Sequence, residues 1–372
     1  MNKTWISKVD ENIPAYLESL VKDNLMYQIQ PMESGTSLVG KKIELGYSCF
    51  ALKSYFITGQ WKNLSDKEKN EWTSFIRGFQ NNDKRFPSNS FIDPELVNDY
   101  DKFNLKRDSK RVIKKILSLS EKNKYFNHET NLQNAVKAET KQAISSLVQV
   151  NDRSFSEYND FPDSHEDIKN YLDSLNWQYP WSAGAQFAGL CVFVSCLNNK
   201  DLKNELIRHL STFADSIVNN DGAYYKGAQP NSSEVINGAM KMFSGFDWID
   251  KKIHHPEKII DLALSIKPSH EGCDLVDVVY VLFMASKQVT YRRKEIQKYC
   301  EGLIPVIKLH YFEEKGGFSY YLNRSQKYYY GLNISKGLNT PDIHGTTLLL
   351  WALSMIFKLC DFEELQWNTL KP

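Results

Sequence analysis

Six stretches of the chain are apolar nearly all round, at 46–58, 135–150, 182–197, 234–245, 273–286 and 342–359. A helix with that pattern has no face to give to water, so each is expected to be a helix buried on every side. Between them run segments with one apolar and one polar face, at 67–79, 167–175, 201–218, 257–266 and 292–311. Buried and amphipathic helices in alternation predict an inner ring wrapped by an outer one. Small residues in the buried set, such as Ala183, Gly184, Ala185, Ala188, Gly189, Gly238 and Ala239, allow close helix contact.

A turn device recurs with this alternation. A helix-like segment ends in polar residues, the chain reverses, and an aromatic follows. It appears as Phe79-Gln80-Asn81-Asn82-Asp83-Lys84-Arg85-Phe86, as Val218-Asn219-Asn220-Asp221-Gly222-Ala223-Tyr224, and as Phe312-Glu313-Glu314-Lys315-Gly316-Gly317-Phe318. Glycine makes a sharp reversal after a helix easy. Two hairpins fit between the second and third turns, and two between the first and second. The earlier interval is longer, and its surplus falls at about 87–130, which is charged, turn-rich and poorly periodic. The expectation is therefore an all-α (α/α)6 toroid over residues 1–372, interrupted by an insertion at about 87–130 with a short helix near 109–118. An open helical solenoid is the competing architecture.

Composition narrows the partners. At 372 residues the chain is 42% hydrophobic and 24% charged, enough for a sizeable core. Its 46 Lys plus Arg nearly cancel its 45 Asp plus Glu, so no global field favours nucleic acid or an anionic membrane. The dense basic run at 105–115 reads as a solvated helix face. No stretch reaches the eighteen or so apolar residues of a membrane span. The start lacks the apolar stretch of a secretory signal, and the six cysteines form no CxxC pair. Reduced thiols in the cytoplasm are the expectation.

With the turns and helices placed, the chain resembles the toroid shared by terpenoid cyclases and protein prenyltransferase β subunits. The resemblance rests on Asp221-Gly222-Ala223-Tyr224, on Gly316-Gly317-Phe318, and on Thr340-Pro341-Asp342-Ile343-His344-Gly345-Thr346 opening the last inner helix. It spans most of the chain as architecture, and its motifs cover only short stretches. Prenyltransferases hold a catalytic zinc through an Asp-x-Cys pair and a later histidine. That implies Cys273, Asp274 and His344 as a zinc set and an isoprenoid as ligand. Here, however, Cys273 and Asp274 are adjacent and in reversed order, so on a helix they point about 100° apart. The Asp-x-Asp-Asp acid of class II terpene cyclases does not occur. The α/α-barrel glycosidases and polysaccharide lyases are also similar in architecture. That likeness implies a glycan ligand, with a lyase, hydrolase or epimerase acting on an acidic sugar. A binding or accessory protein that keeps the ring without the chemistry is the third reading.

In a toroid the inner helices start at one end, so their first turns converge on one mouth, where unpaired N–H groups favour an anion. His344, Asp342, Asp274 and Tyr329 are the expected catalytic groups there. Glu139, Lys141, Trp181, Glu234 and Tyr330 are the expected binding groups. Each has a plainer role in competition. Asp342 follows Thr340-Pro341, as a helix cap does. Asp274, Asp277 and Glu234 suit first-turn electrostatics. Glu139 and Lys141 interrupt an otherwise small and apolar helix, where a charge without a partner is costly. Trp177, Tyr179 and Trp181 could line a sugar or isoprenoid pocket, and core is their plainer role.

Overall fold

The computed structural model describes residues 3–81, 83–101, 128–362 and 364–372. Its six buried helices are α2 (Leu45–Ile57), α5 (His128–Gln149), α7 (Pro180–Ser195), α9 (Ser232–Ile249), α11 (Gly272–Ser286) and α13 (Ile343–Leu359). Each packs on the next, and α13 packs back on α2, so the ring closes and the solenoid alternative falls away. The closing seam is polar at its centre. Ser54 Oγ lies 2.8 Å from Thr347 Oγ1, and Thr347 also donates to the Phe50 carbonyl at 3.0 Å. Hydroxyls that bond backbone across a seam can be buried without loss.

The seam between α7 and α9 is tight because it is built from glycine. A Cβ at Gly238 would strike Pro180, and one at Gly184 would press on the Lys241 stem. The small residues read from the sequence therefore serve close approach.

The outer layer comprises α1 (Lys3–Ser19), α3 (Asp66–Arg77), α6 (His165–Ser174), α8 (Lys200–Ile217), α10 (Pro256–Ser265) and α12 (Arg293–Lys308). Helix α1 was not among the expected amphipathic segments. The others start and stop where expected to within a few residues. Ser65 and Glu68 form a reciprocal capping box on α3, and Asn199 and Ser164 cap α8 and α6. Together these account for an (α/α)6 toroid.

The recurrent turns are small antiparallel ladders. After an N-terminal hairpin of β1 (Val21–Lys22) and β2 (Leu25–Ile29), β3 (Gln80–Asn81) pairs with β4 (Ser90–Phe91), Val218 bridges to Tyr224, and β5 (Tyr311–Phe312) pairs with β6 (Gly317–Phe318). Gly222 and Gly316 sit at φ +84° and +78°, where only glycine is unstrained. A further hairpin joins β7 (Tyr328–Tyr329) to β8 (Leu332–Asn333) through Tyr330 and Gly331, both at positive φ. Two central residues of that kind make the tight type I′ reversal.

Of the expected insertion at 87–130, the described part holds β4 and helix α4 (Pro94–Asp101). The short helix expected near 109–118 lies outside the described residues. Helix α5 begins at His128, earlier than expected, and its N-terminal half extends beyond the start of α2, because Gln142 reaches the Gly46 carbonyl at 3.1 Å. All six cysteines are free thiols, and among the described residues no helix is long and apolar enough to cross a membrane.

Candidate functional site in the ring interior

The last inner helix starts on a saturated carboxylate. Asp342 is its N-cap: one oxygen accepts from Gly345 N at 2.8 Å, the other from Tyr320 N at 2.9 Å and Gln326 N at 3.0 Å. Burial raises its pKa to about 6 against these donors. One oxygen caps the helix and the other fixes the 318–326 loop, so Asp342 acts as a clamp between the two.

His344 lies in a sandwich, 4.4 Å from the Phe50 ring and 5.1 Å from Tyr320. Its Nδ1 bonds the side-chain carbonyl of Gln326 at 3.0 Å, which places the proton on Nδ1 and leaves Nε2 a lone pair. Burial, then the charges of Lys241 and Lys53, lower its pKa to about 3, so the imidazole is neutral at physiological pH.

Tyr329 reaches Glu139 from the β7–β8 hairpin, donating at 2.9 Å to Oε1. It fits because position 46 has no side chain, since a Cβ at Gly46 would overlap the Tyr329 hydroxyl. Glu139 is sealed at 1% exposure, its second oxygen has no partner, and burial holds its pKa well above the carboxylate range. Tyr330 is half-buried, and its carbonyl accepts from Tyr100.

The proposed zinc set does not assemble. Among the described residues no group of three or more His, Cys, Asp and Glu side chains is placed to hold a metal ion. Asp274 is spent on Asn237 (2.9 Å) and Ser269, while Tyr320 stacks on His344 and also contacts the Cys273 thiol. Burial pushes that thiol up to about 12. Glu234 ties two helix starts together by accepting from Trp181 N at 2.9 Å, and the Trp181 ring is 39% exposed at the mouth.

Sequence reading missed the feature that dominates the interior. Lys53 on α2, Lys141 on α5 and Lys241 on α9 come from three inner helices, and only Lys141 had been singled out. All three keep some water-accessible surface, and the charges of Lys241 and Lys53 act on both Lys141 and His344, which puts them near one another inside the ring. Burial lowers Lys53 to about 8, and burial plus the charges of Lys241 and Lys53 lower Lys141 to about 7. Lys53 donates to Ser145 Oγ at 3.0 Å. Among the described residues none of the three has a carboxylate within ion-pair distance. Asp277 on α11 completes the group. It is 2% exposed, its Oδ2 has no partner, and burial raises it to about 7, with Asp274 adding and Lys241 opposing. The signal was available, because a lysine inside Phe50-Ala51-Leu52-Lys53 or Ala239-Met240-Lys241-Met242 breaks an apolar helix as Lys141 does.

No family model matches the chain, and no curated protein matches it. Among solved structures it is similar to a glycosyl hydrolase family 88 protein from Bacteroides vulgatus at 11% identity and a TM-score of 0.43, over 94% of this chain and 99% of that one. A likeness of that degree assigns no role to any residue. The structure shows a helical toroid, and the comparisons do not confirm the resemblance to terpenoid cyclases and prenyltransferases.

Proposed function

We propose that the chain takes an acidic sugar into its ring interior and acts on it as a carbohydrate-active α/α barrel of lyase, hydrolase or epimerase type. The observation that carries this reading is the trio Lys53, Lys141 and Lys241, coupled through their charges and, among the described residues, without a carboxylate at ion-pair distance. Ammonium groups brought together without counter-charge are costly, and an anionic guest supplies what the protein omits. Inner-helix N-termini at the mouth through which a guest would enter favour the same sign of ligand.

The wall also supports a sugar over an isoprenoid. Half-buried polar groups come from five of the six inner helices: Lys53, Lys141, Lys241, Asp274 and His344. An isoprenoid tail needs the reverse lining. For chemistry, His344 is a neutral base with Nε2 free of partners among the described residues, and Asp277 stays protonated to about pH 7. An anionic guest would offset the Lys241 and Lys53 charges that hold His344 near 3 and raise it towards the range of a working base, while Asp277 keeps a proton to return. The lysines would hold the sugar carboxylate and stabilise the charge that develops on it.

The test is thermal stabilisation by galacturonate and glucuronate, with glucose and farnesyl diphosphate as controls. The uronates are expected to raise Tm, glucose to leave it unchanged, and Lys241→Met to abolish the rise. Stabilisation by farnesyl diphosphate with no response to uronates would replace this reading with the prenyltransferase-like one. Uronate binding without ultraviolet-absorbing product, glycoside cleavage or C5 hydrogen exchange in D2O would reduce the protein to a binding module.

A further inference from the structure

A groove of about 710 Å³ lies away from the lysine trio. It opens beside the protruding half of α5, and its wall includes Arg85, Asn134, Lys137, Tyr158, Asp160 and Tyr171. Its size is within the roughly 300–1,000 Å³ of small-molecule sites. Lys137 bonds the Tyr171 hydroxyl at 3.0 Å and lies over its ring at 4.8 Å, and Arg85 pairs with Asp83 at 2.8 Å. Lys137, whose bonded partner is a neutral hydroxyl, shares the groove wall with the Asp160 carboxylate and with Arg85, which is already paired to Asp83.

Helix α5 connects this groove to the interior. Asn134, Lys137, Ala138 and Lys141 all keep water-accessible surface, while Ala135, Val136, Glu139 and Thr140 between them are buried. At 100° per residue the four accessible positions share an arc of about 100°. They form one continuous wet stripe that carries a cation at Lys137 and, one turn on, another at Lys141. Ala138 keeps the stripe low between them.

We propose that the groove is a second subsite for the same ligand, so that the natural substrate is a chain of acidic sugar units running along α5 from Lys137 to Lys141. This rests on the interior being an acidic-sugar site. A single uronate needs only the interior lysines. A cavity of this volume beside a repeated cation at one-turn spacing gives the next units both room and counter-charge, and the half-buried Tyr171 ring adds apolar surface for sugar C–H groups.

The measurement is the ratio of Kd for galacturonate to Kd for tetragalacturonate by calorimetry, in the full chain. The wild type is expected to bind the tetramer at least tenfold more tightly. Lys137→Ala should bring the ratio towards one, and Arg85→Gln should lower it less, both with Tm close to wild type. If the monomer binds and the tetramer binds no more tightly, the subsite is wrong while the interior site stands. If the monomer binds and Lys137→Ala and Arg85→Gln both leave the ratio unchanged, the chain does not run along this groove. If neither ligand binds, the acidic-sugar reading fails and takes the subsite with it.

Discussion

Asp342 and Asp277 are both buried carboxylates near the starts of neighbouring inner helices, and they differ in what their oxygens touch. Asp342 accepts three backbone N–H bonds and leaves nothing over. Asp277 has an oxygen with no donor, and the nearby ammonium of Lys241 stops short of pairing with it. Buried polar groups in folded proteins are almost always satisfied. A satisfied one reports architecture, and a cluster of unsatisfied ones reports a partner that is not part of the chain.

The largest effect that can break this contrast is Asp342→Ala. It removes three charge-assisted bonds from a loop and a helix cap, so a loss of about 3 kcal/mol or more is expected in urea denaturation. If the loss is no greater than for Asp277→Ala, satisfaction does not separate structural from functional carboxylates here.

Glu139 lies between the two, with one oxygen bonded by Tyr329 and one orphaned. Gly46→Ala should force the Tyr329 hydroxyl away and cost about 1–3 kcal/mol through overpacking. Tyr329→Phe should cost about 1–2 kcal/mol by taking Glu139's donor away. A Gly46→Ala protein as stable as wild type would mean that the hairpin tip is not seated on α2.

How much of this was legible follows from the same physics. The ring was readable because a helix buried all round must be apolar all round, and the α7–α9 seam because close approach demands glycine. The Asp342 cap was readable from Thr340-Pro341-Asp342. The lysine trio was not, although each member is visible singly. Residues 53, 141 and 241 share no spacing in the chain and meet only because the ring closes. The zinc set failed for a related reason: Cys273, Asp274 and His344 have ligand chemistry, but Tyr320 and Asn237, which occupy them, are brought in by other turns.

Titration sharpens the contrast at lower amplitude. The Asp277 pKa of about 7 lies above its unfolded value of about 3.9. The folded state thus holds an extra proton between those limits, and its stabilisation is lost as pH rises through 7. Asp277→Asn should leave stability unchanged near pH 4 and raise it by about 1–2 kcal/mol at pH 8. Equal effects at both pH values would show that the carboxyl is not raised.

Lys141 runs the other way. Its pKa of about 7 in the fold lies below the unfolded value of about 10.4, so the unfolded chain binds the extra proton and wild-type stability rises with pH between those limits. Lys141→Met removes the repulsion and should be more stable than wild type below pH 7, by about 1 kcal/mol once solvent screening at this half-buried group is allowed for. The advantage should vanish towards pH 10. Galacturonate should reverse the order, because an anion stabilises the protonated lysine and has nothing to meet in the methionine variant. Its affinity for wild type should accordingly fall as pH rises through 7–8, where Lys141 and then Lys53 lose their protons. A Lys141→Met protein less stable than wild type at pH 6 without ligand would mean that the ammonium has an internal partner, and the case for a guest in the ring would go with it.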